Sequence, residues 1–312
     1  MTEKLTGKIV KGVGGLYDVL LDSGERISCR AKGAFRHDDI KPCVGDRVDV
    51  DTDGKGNSVI SEIEARKNHL IRPPISNIDM LFIVLPAKDP TADLLTADKL
   101  IAIAEYSQIE PIVIITKCDL DRENADRIKK IYEKSSFRVF ASCFSKSTGT
   151  TECDELSEFV KKKACDSVSA FAGASGAGKS TLMNALFPSL SIETGDISQK
   201  IGRGRHTTRH VELFPMSDLI GVGKGFFADT PGFTMLDFMR FDFFDKDALP
   251  GTFREFGDYI GTCKYTKCTH IKEDGCAILG AIKENRIEKS RHQSYVQLYD
   301  ILKEKHDWDK KQ

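Results

Sequence analysis

Over residues 1 to about 70, apolar and polar positions alternate with a period of two, broken at Gly14-Gly15, Asp22-Ser23-Gly24 and Asp53-Gly54. Alternation bounded by turn residues marks half-buried antiparallel strands. It predicts five of them, over 5–10, 16–20, 26–29, 46–50 and 59–63. Five short strands in this length predict a small β-barrel, the OB-fold first, with a generic sandwich or meander as the alternative. Residues 63–78, with Arg66-Lys67-Asn68-His69 and Pro73-Pro74, read as a linker. Beyond it the pattern changes. Apolar runs at 80–85, 112–116, 138–141, 168–172, 211–214 and 226–229 read as buried strands, and helical periodicity at 96–106, 122–132, 153–163 and 179–186 falls between them. That alternation predicts a doubly wound, mainly parallel α/β sheet. After residue 240, Ile278, Ile282, Val296, Leu298, Tyr299 and Leu302 recur at near-helical spacing. The expected division is a barrel over 1–70, an α/β domain over 71–240 and a C-terminal α module over 241–312.

The chemistry enters at Gly173-Ala174-Ser175-Gly176-Ala177-Gly178-Lys179-Ser180, followed by Thr181. This is the P-loop pattern G-x-x-x-x-G-K-[ST], placed between an apolar strand and a helix as that motif requires. Its glycines let backbone N–H groups crowd around phosphate oxygens, and the helix N-terminus adds positive potential. Lys179 is expected to reach the β- and γ-phosphates, and the Ser180 hydroxyl to ligate Mg²⁺.

Which base is bound follows from Thr116-Lys117-Cys118-Asp119, at the end of the run 112–115. A carboxylate at the carboxyl end of a buried parallel strand lies where α/β sheets bind ligands. Asp119 can accept from guanine N1–H and the 2-amino group, a pair adenine lacks. The Lys117 stem can cover the base. A capped helix start, by Asp119 or Asp121, is the alternative explanation of these residues. Ser142-Cys143-Phe144 fits the loop that backs the guanine. Asp229-Thr230-Pro231-Gly232 is a D-x-x-G element, in which Asp229 holds the Mg²⁺ shell and the Gly232 N–H senses the γ-phosphate. Between P-loop and D-x-x-G lies Gly202-Arg203-Gly204-Arg205-His206-Thr207-Thr208-Arg209-His210. Either threonine can supply a second Mg²⁺ hydroxyl, with Thr208 preferred. The order of these pieces is unusual. The base-reading residues precede the P-loop, so the nucleotide-binding sheet is circularly permuted, which is tolerable because domain termini usually lie close together at the surface.

Composition changes this picture little. Hydrophobic residues are 40 % and charged residues 30 % of the 312, enough for an ordinary core. A net charge of −1 confines any nucleic-acid contact to a local patch. No stretch is long and apolar enough to span a bilayer and no signal-peptide core is visible, so a cytoplasmic protein without membrane contact is expected. Nine cysteines, scattered in strands and motifs, fit a reducing compartment rather than a disulfide scaffold. Three of them cluster with a histidine, as Cys263, Cys268, His270 and Cys276, in the pattern C-x4-C-x-H-x5-C. Three thiolates and an imidazole make a closed tetrahedral set, so one structural Zn²⁺ is expected, supplying folding energy to a region read as poor in apolar content.

A barrel, a permuted P-loop domain with Asp119 ahead of Lys179, and C-x4-C-x-H-x5-C together resemble the circularly permuted RsgA/YjeQ (ribosome small subunit-dependent) GTPases over essentially the whole chain. The resemblance implies a GTPase acting in late maturation of the small (30S) ribosomal subunit. It would bind that subunit and its 16S rRNA, and be stimulated by the ribosome. It also implies GTP or GDP at Thr116–Asp119 and residues 173–181, and zinc at the Cys263–Cys276 cluster. A monomer is expected. Thr116 stands where GTPases usually have Asn, and Phe233, after Gly232, cannot orient water. Slow intrinsic hydrolysis is therefore expected, with His206 the candidate for aligning water, against a solvated loop histidine or an rRNA contact. Lys200, Arg203, Arg205 and Arg209, with no acidic residue among them, are expected to meet rRNA phosphate. The competing readings are an ATP-using P-loop enzyme, which Asp119 argues against, and a GTP-binding RNA scaffold with negligible turnover.

Overall fold

The computed structural model describes residues 3–36, 41–53, 57–71, 73–145, 150–190, 211–229 and 244–304. They fall into two compact units. One comprises residues 1–80, 157–171 and 187–233, the other 81–156, 172–186 and 234–312.

The first unit begins with β1 (Glu3–Val13), β2 (Leu16–Leu21), β3 (Arg26–Ala31), β4 (Arg47–Thr52) and β5 (Ser58–Ile63). β1 pairs antiparallel with both β2 and β4, β2 with β3, β4 with β5, and β3 runs parallel to β5. The ring 1-2-3-5-4-1 closes a five-stranded barrel of the OB type, leaving no free edge. The period-two pattern is its cause: Ile9, Val19, Val48, Val50 and Ile60 point inward and are fully buried. The segment read as a linker is folded. β6 (His69–Ile71) and β7 (Pro74–Ser76) form a hairpin with Leu70 and Ile75 completely buried. Proline is accepted here because the turn needs no ladder N–H, and polar ties replace solvation. Ser76 N–H donates to the Val44 carbonyl at 2.9 Å. The fully buried Asp46 carboxylate accepts from Ser76 Oγ at 2.6 Å and pairs with Arg66 at 2.7 Å.

Next in chain order come β8 (Met80–Pro86), α1 (Leu94–Tyr106), β9 (Glu110–Thr116), α2 (Arg122–Lys134), β10 (Arg138–Ala141), β11 (Cys143–Ser145), β12 (Thr150–Glu152) and α3 (Asp154–Phe159). The helix expected over 153–163 changes character after α3. Val160–Ala164 is a π-turn, whose wider spacing turns Val160 and Ala164 inward while the three lysines between them stay exposed. Then follow β13 (Val168–Ala172), α4 (Lys179–Leu186), β14 (Glu212–Pro215), α5 (Met216–Ile220) and β15 (Phe226–Asp229). In the first unit β13 and β15 are parallel, as expected, but β14 is antiparallel to β15 and also to β1, through Lys11 opposite Glu212. The link from Pro215 to Phe226 is too short for a parallel crossover, which takes about a dozen residues or more. Phe171, Phe187 and Phe227 fill the space beneath, with ring centroids 4.8 and 5.4 Å apart.

In the second unit β9 lies between β8 and the parallel β10, and α1 and α2 start at the N-caps Asp93 and Asp121. The C-terminal region ends in α6 (Ala277–Lys283) and α7 (Lys289–Lys303). It is not poor in apolar content: Leu249, Phe253, Phe256, Ile278, Tyr295 and Leu298 are at most 1 % exposed. Ile278, Tyr295 and Leu298 lie on the two helices, whereas Leu249, Phe253 and Phe256 sit on short turns ahead of them and show no period in sequence. A buried ionic cluster joins α7 to α1. Arg291 pairs with Asp98 at 2.5 Å and Glu255 at 2.6 Å, and Tyr132 donates to Asp98 at 3.0 Å. Removing one partner of such a pair leaves an uncompensated buried charge. Arg291→Met is expected to destabilise the protein by about 3–5 kcal/mol, read as a lower denaturant midpoint, and Arg291→Met with Asp98→Leu to recover part of that loss.

Candidate nucleotide site and metal cluster

The P-loop leaves β13 at Gly173, whose φ of +145° and whose position forbid a side chain: a Cβ there would lie 2.4 Å from the Val84 carbonyl oxygen. The loop then turns into α4, the first turn of which contains Lys179 and Ser180, both buried. The Lys179 ammonium donates to the carbonyls of Gly173 and Ala174, each at 2.7 Å. Burial with no carboxylate partner pushes its pKa down to about 8. A buried cation held only by carbonyl dipoles, beside a helix N-terminus, is a seat for an anion. Ser180 Oγ is buried, with no hydrogen-bond partner among the described residues. A hydroxyl orphaned in this way costs stability unless something ligates it. The residues therefore fit Mg²⁺ accompanying a bound triphosphate.

Thr116 connects this loop to β9. Its hydroxyl, 4 % exposed, donates to the Ala177 carbonyl, and Gly178 passes close enough that a Cβ would be 3.3 Å from Thr116 Oγ1. Lys117 adopts a left-handed backbone (φ 55°) and donates to the Asp89 carbonyl. Cys118 is buried. Its thiol lies 3.3 Å from the Ile115 carbonyl, and burial first, then Cys143, pushes its pKa up to about 12; the side chain is packing, not a nucleophile. The structure separates the two explanations of the acidic residues here. Asp121 caps α2, accepting from Asn124 N–H at 3.0 Å. Asp119 is exposed and does not cap; it accepts from Phe144 N–H at 3.0 Å. Ser142 is buried, its N–H on the Ile115 carbonyl at 2.7 Å, and half-buried Cys143 opens β11. Thr116–Asp119, Ser142, Cys143 and residues 173–181 thus belong to one unit, with Ser175, Gly176 and Thr181 exposed.

Asp229 ends β15 in the first unit, where burial, then the Glu212 carboxylate, push its pKa up to about 6. His206, Thr207, Thr208, Gly232 and Phe233, with the basic run 200–210, lie outside the described residues. One participant had no motif to announce it: the Asp89 carbonyl holds Lys117, a backbone group whose role is independent of residue type. Phe144, in the loop expected to back the guanine, contributes its N–H, which aims Asp119.

The ligand atoms of Cys263, Cys268, His270 and Cys276 lie within 4.8 Å of one another. His270 Nδ1 is 3.5 Å from Cys263 Sγ and 3.6 Å from Cys276 Sγ, and those sulfurs are 3.9 Å apart. A tetrahedral ion with Zn–S of about 2.3 Å and Zn–N of about 2.0 Å requires separations of about 3.5 and 3.8 Å. The set fits a metal of that size. Its frame is prepared. Burial would raise the Glu273 pKa, but hydrogen bonds from Thr269 and from the N–H groups of Ile271 and Lys272 outweigh it and hold the carboxyl at about 2. α7 grips the same turn: Tyr295 donates to the Thr269 carbonyl at 2.8 Å, and His292 Nε2 to the His270 carbonyl at 2.7 Å.

Among known proteins, residues 63–239 match the family model described as RsgA GTPase, and residues 6–60 the RsgA N-terminal domain. A protein of Clostridium beijerinckii named small ribosomal subunit biogenesis GTPase RsgA is 39 % identical over 307 residues, covering 97 % of this chain and all of that one. The protein of the same name from Halalkalibacterium halodurans is 40 % identical, covering 96 % and 98 %. The crystal structure of YloQ, a circularly permuted GTPase, superposes with a TM-score of 0.75 at 32 % identity, covering 96 % of each chain. That of YjeQ from Thermotoga maritima gives 0.78 at 30 %, covering 97 % and 100 %. With a nucleotide motif order that is permuted in the same sense and an agreement running through barrel, P-loop and C-terminal module alike, this chain belongs to the RsgA family of circularly permuted GTP-hydrolysing enzymes.

Proposed function

We propose that this GTPase acts in the late assembly of the small (30S) ribosomal subunit, binding its 16S rRNA, and that subunit contact accelerates hydrolysis. The observation that carries the nucleotide part is the Thr116 hydroxyl on the Ala177 carbonyl, which seats the base-reading turn against the phosphate loop. Support for the partner comes from the relatives' names. GTP and GDP would contact Thr116–Asp119, Ser142, Cys143 and residues 173–181, and the three-part division 1–70, 71–240 and 241–312 assigns the nucleotide to the middle segment. Mg²⁺, held by Ser180, would neutralise charge on the β- and γ-phosphates, and Asp229 and Thr208 are proposed as Mg²⁺-side groups from their motifs alone. Lys179 would follow that charge, and His206 would align water. One Zn²⁺ on Cys263, Cys268, His270 and Cys276 would brace the turn that α7 grips. The protein would work as a cytoplasmic monomer; among the described residues no helix is long and apolar enough to cross a membrane.

The deciding experiment is phosphate release from GTP by the purified chain, with and without small subunits. Stimulation of tenfold or more is expected, by the ~1.4 kcal/mol per decade that a modest realignment of water supplies. Equal, negligible release in both would favour the scaffold reading.

Two further outcomes follow from the site. Asp119→Asn exchanges an acceptor for a donor facing guanine N1–H and the 2-amino group. GTP affinity is expected to fall by about 100-fold, the loss of charge-assisted bonds worth about 1.5–3 kcal/mol each. Xanthosine triphosphate, whose 2-carbonyl accepts from Asn, should gain; competition binding with GTP, ATP and XTP reads both. Lys179 sets the pH dependence. Below pH 8 the free protein already carries the proton, and a bound polyphosphate raises the lysine pKa, so affinity is flat there. Above pH 8 binding must take up a proton, and affinity is expected to fall about tenfold per pH unit, measurable by GDP titration between pH 7 and 9.5.

A further inference from the structure

Glu212, the first residue of β14, is used by none of the nucleotide motifs. It faces Lys11 of β1 on one side and Asp229 of β15 on the other. Directly opposed residues of antiparallel strands project to the same face, so Lys11, Glu212 and Asp229 form one row across three strands. The Glu212 carboxylate is 2.7 Å from the Lys11 ammonium and 3.2 Å from the Arg26 guanidinium. Both cations belong to the barrel. Two carboxylates set opposite each other repel. That repulsion can be relieved from either end of the row: by the barrel cations at Glu212, or by a divalent ion at Asp229.

We propose that Glu212 is a positioning residue through which Lys11 and Arg26 of the barrel set the Mg²⁺ affinity at Asp229. The inference rests on the reading of Asp229 as the Mg²⁺-side carboxylate. With both cations on Glu212, its negative field at Asp229 is largely compensated. When they are drawn away, by substitution or by the phosphates of an RNA lying on the barrel, the uncompensated field favours Mg²⁺. The barrel side chains are half-exposed, 36 % for Lys11 and 48 % for Arg26, so a polyanion can reach them from solvent.

A purely adhesive role, holding β14 to the barrel, makes a different prediction. Loss of any partner would then loosen the same strand and weaken Mg²⁺ binding in every case. The test is Mg²⁺ titration of the full-length protein loaded with a fluorescent GDP, at pH 7.5 and low ionic strength. Lys11→Gln and Arg26→Gln are each expected to lower the half-saturating Mg²⁺ concentration about three- to fivefold, and Glu212→Gln to raise it by a similar factor. Raising the salt to about 0.5 M should shrink these differences, because the cations are solvent-accessible. Shifts in the same direction for all three variants, or no shift, overturn the proposal. If Glu212→Gln does not fold, the two barrel variants decide alone, since adhesion and field predict opposite signs for them. Mg²⁺-dependent GDP binding by the parent protein with unmoved variants refutes this link only; a parent that binds no GDP refutes the nucleotide reading and the link with it.

Discussion

The hydroxyl of Thr116 resting on the carbonyl of Ala177 is the constraint on which the nucleotide site depends. A phosphate loop and a base-reading turn recognise one ligand only if their separation is held to a fraction of an ångström. Here the two come from segments sixty-one positions apart and in permuted order. The buried Thr116 hydroxyl ties the two together. The residue is unusual for the position, since Asn could make more bonds, but Thr on a β-strand end is conformationally stiff. Asp119 is then aimed by Phe144 N–H, leaving carboxylate oxygen for a base.

The loop is built under electrical tension. Lys179 is buried with carbonyls in place of an anion, and Ser180 Oγ has no partner among the described residues. Both departures from ordinary satisfaction are costs that a bound magnesium–nucleotide complex removes, which is how binding energy is stored in a site before the ligand arrives. The metal cluster follows the opposite logic. Its four ligand side chains close on each other, and Glu273, Tyr295 and His292 satisfy the surrounding backbone. A set of four protein ligands would complete the shell of a tetrahedral ion, as in a structural site. The cluster fixes the turn that α7 holds, and α7 carries Arg291 into the ionic cluster with α1.

Much of this was legible in the residues alone. The P-loop, Thr116–Asp119 and C-x4-C-x-H-x5-C are short-range patterns: their chemistry depends on residue type at fixed spacing, and spacing is a property of the chain. Barrel strands and parallel strands were legible for the same reason, since burial on one face or two imposes its period locally. Less visible were the hairpin at His69–Ser76 and the apolar content of the C-terminal region. The first hides behind prolines and charged residues whose partners, Val44 and Asp46, lie earlier in the chain. The second comes in part from Leu249, Phe253 and Phe256, on short turns with no period.

By itself, then, the amino-acid order determined which ligand chemistry the chain carries, the succession of its elements and the permutation, because motifs and periodicities are written locally. Tertiary structure alone decided between Asp119 and Asp121, giving the cap to one and leaving the other exposed. It reversed β14 to run antiparallel, and it set Glu212 in one row with Lys11 and Asp229. These outcomes turn on which distant strands become neighbours, and that is fixed by burial summed over the whole chain rather than by any segment of it.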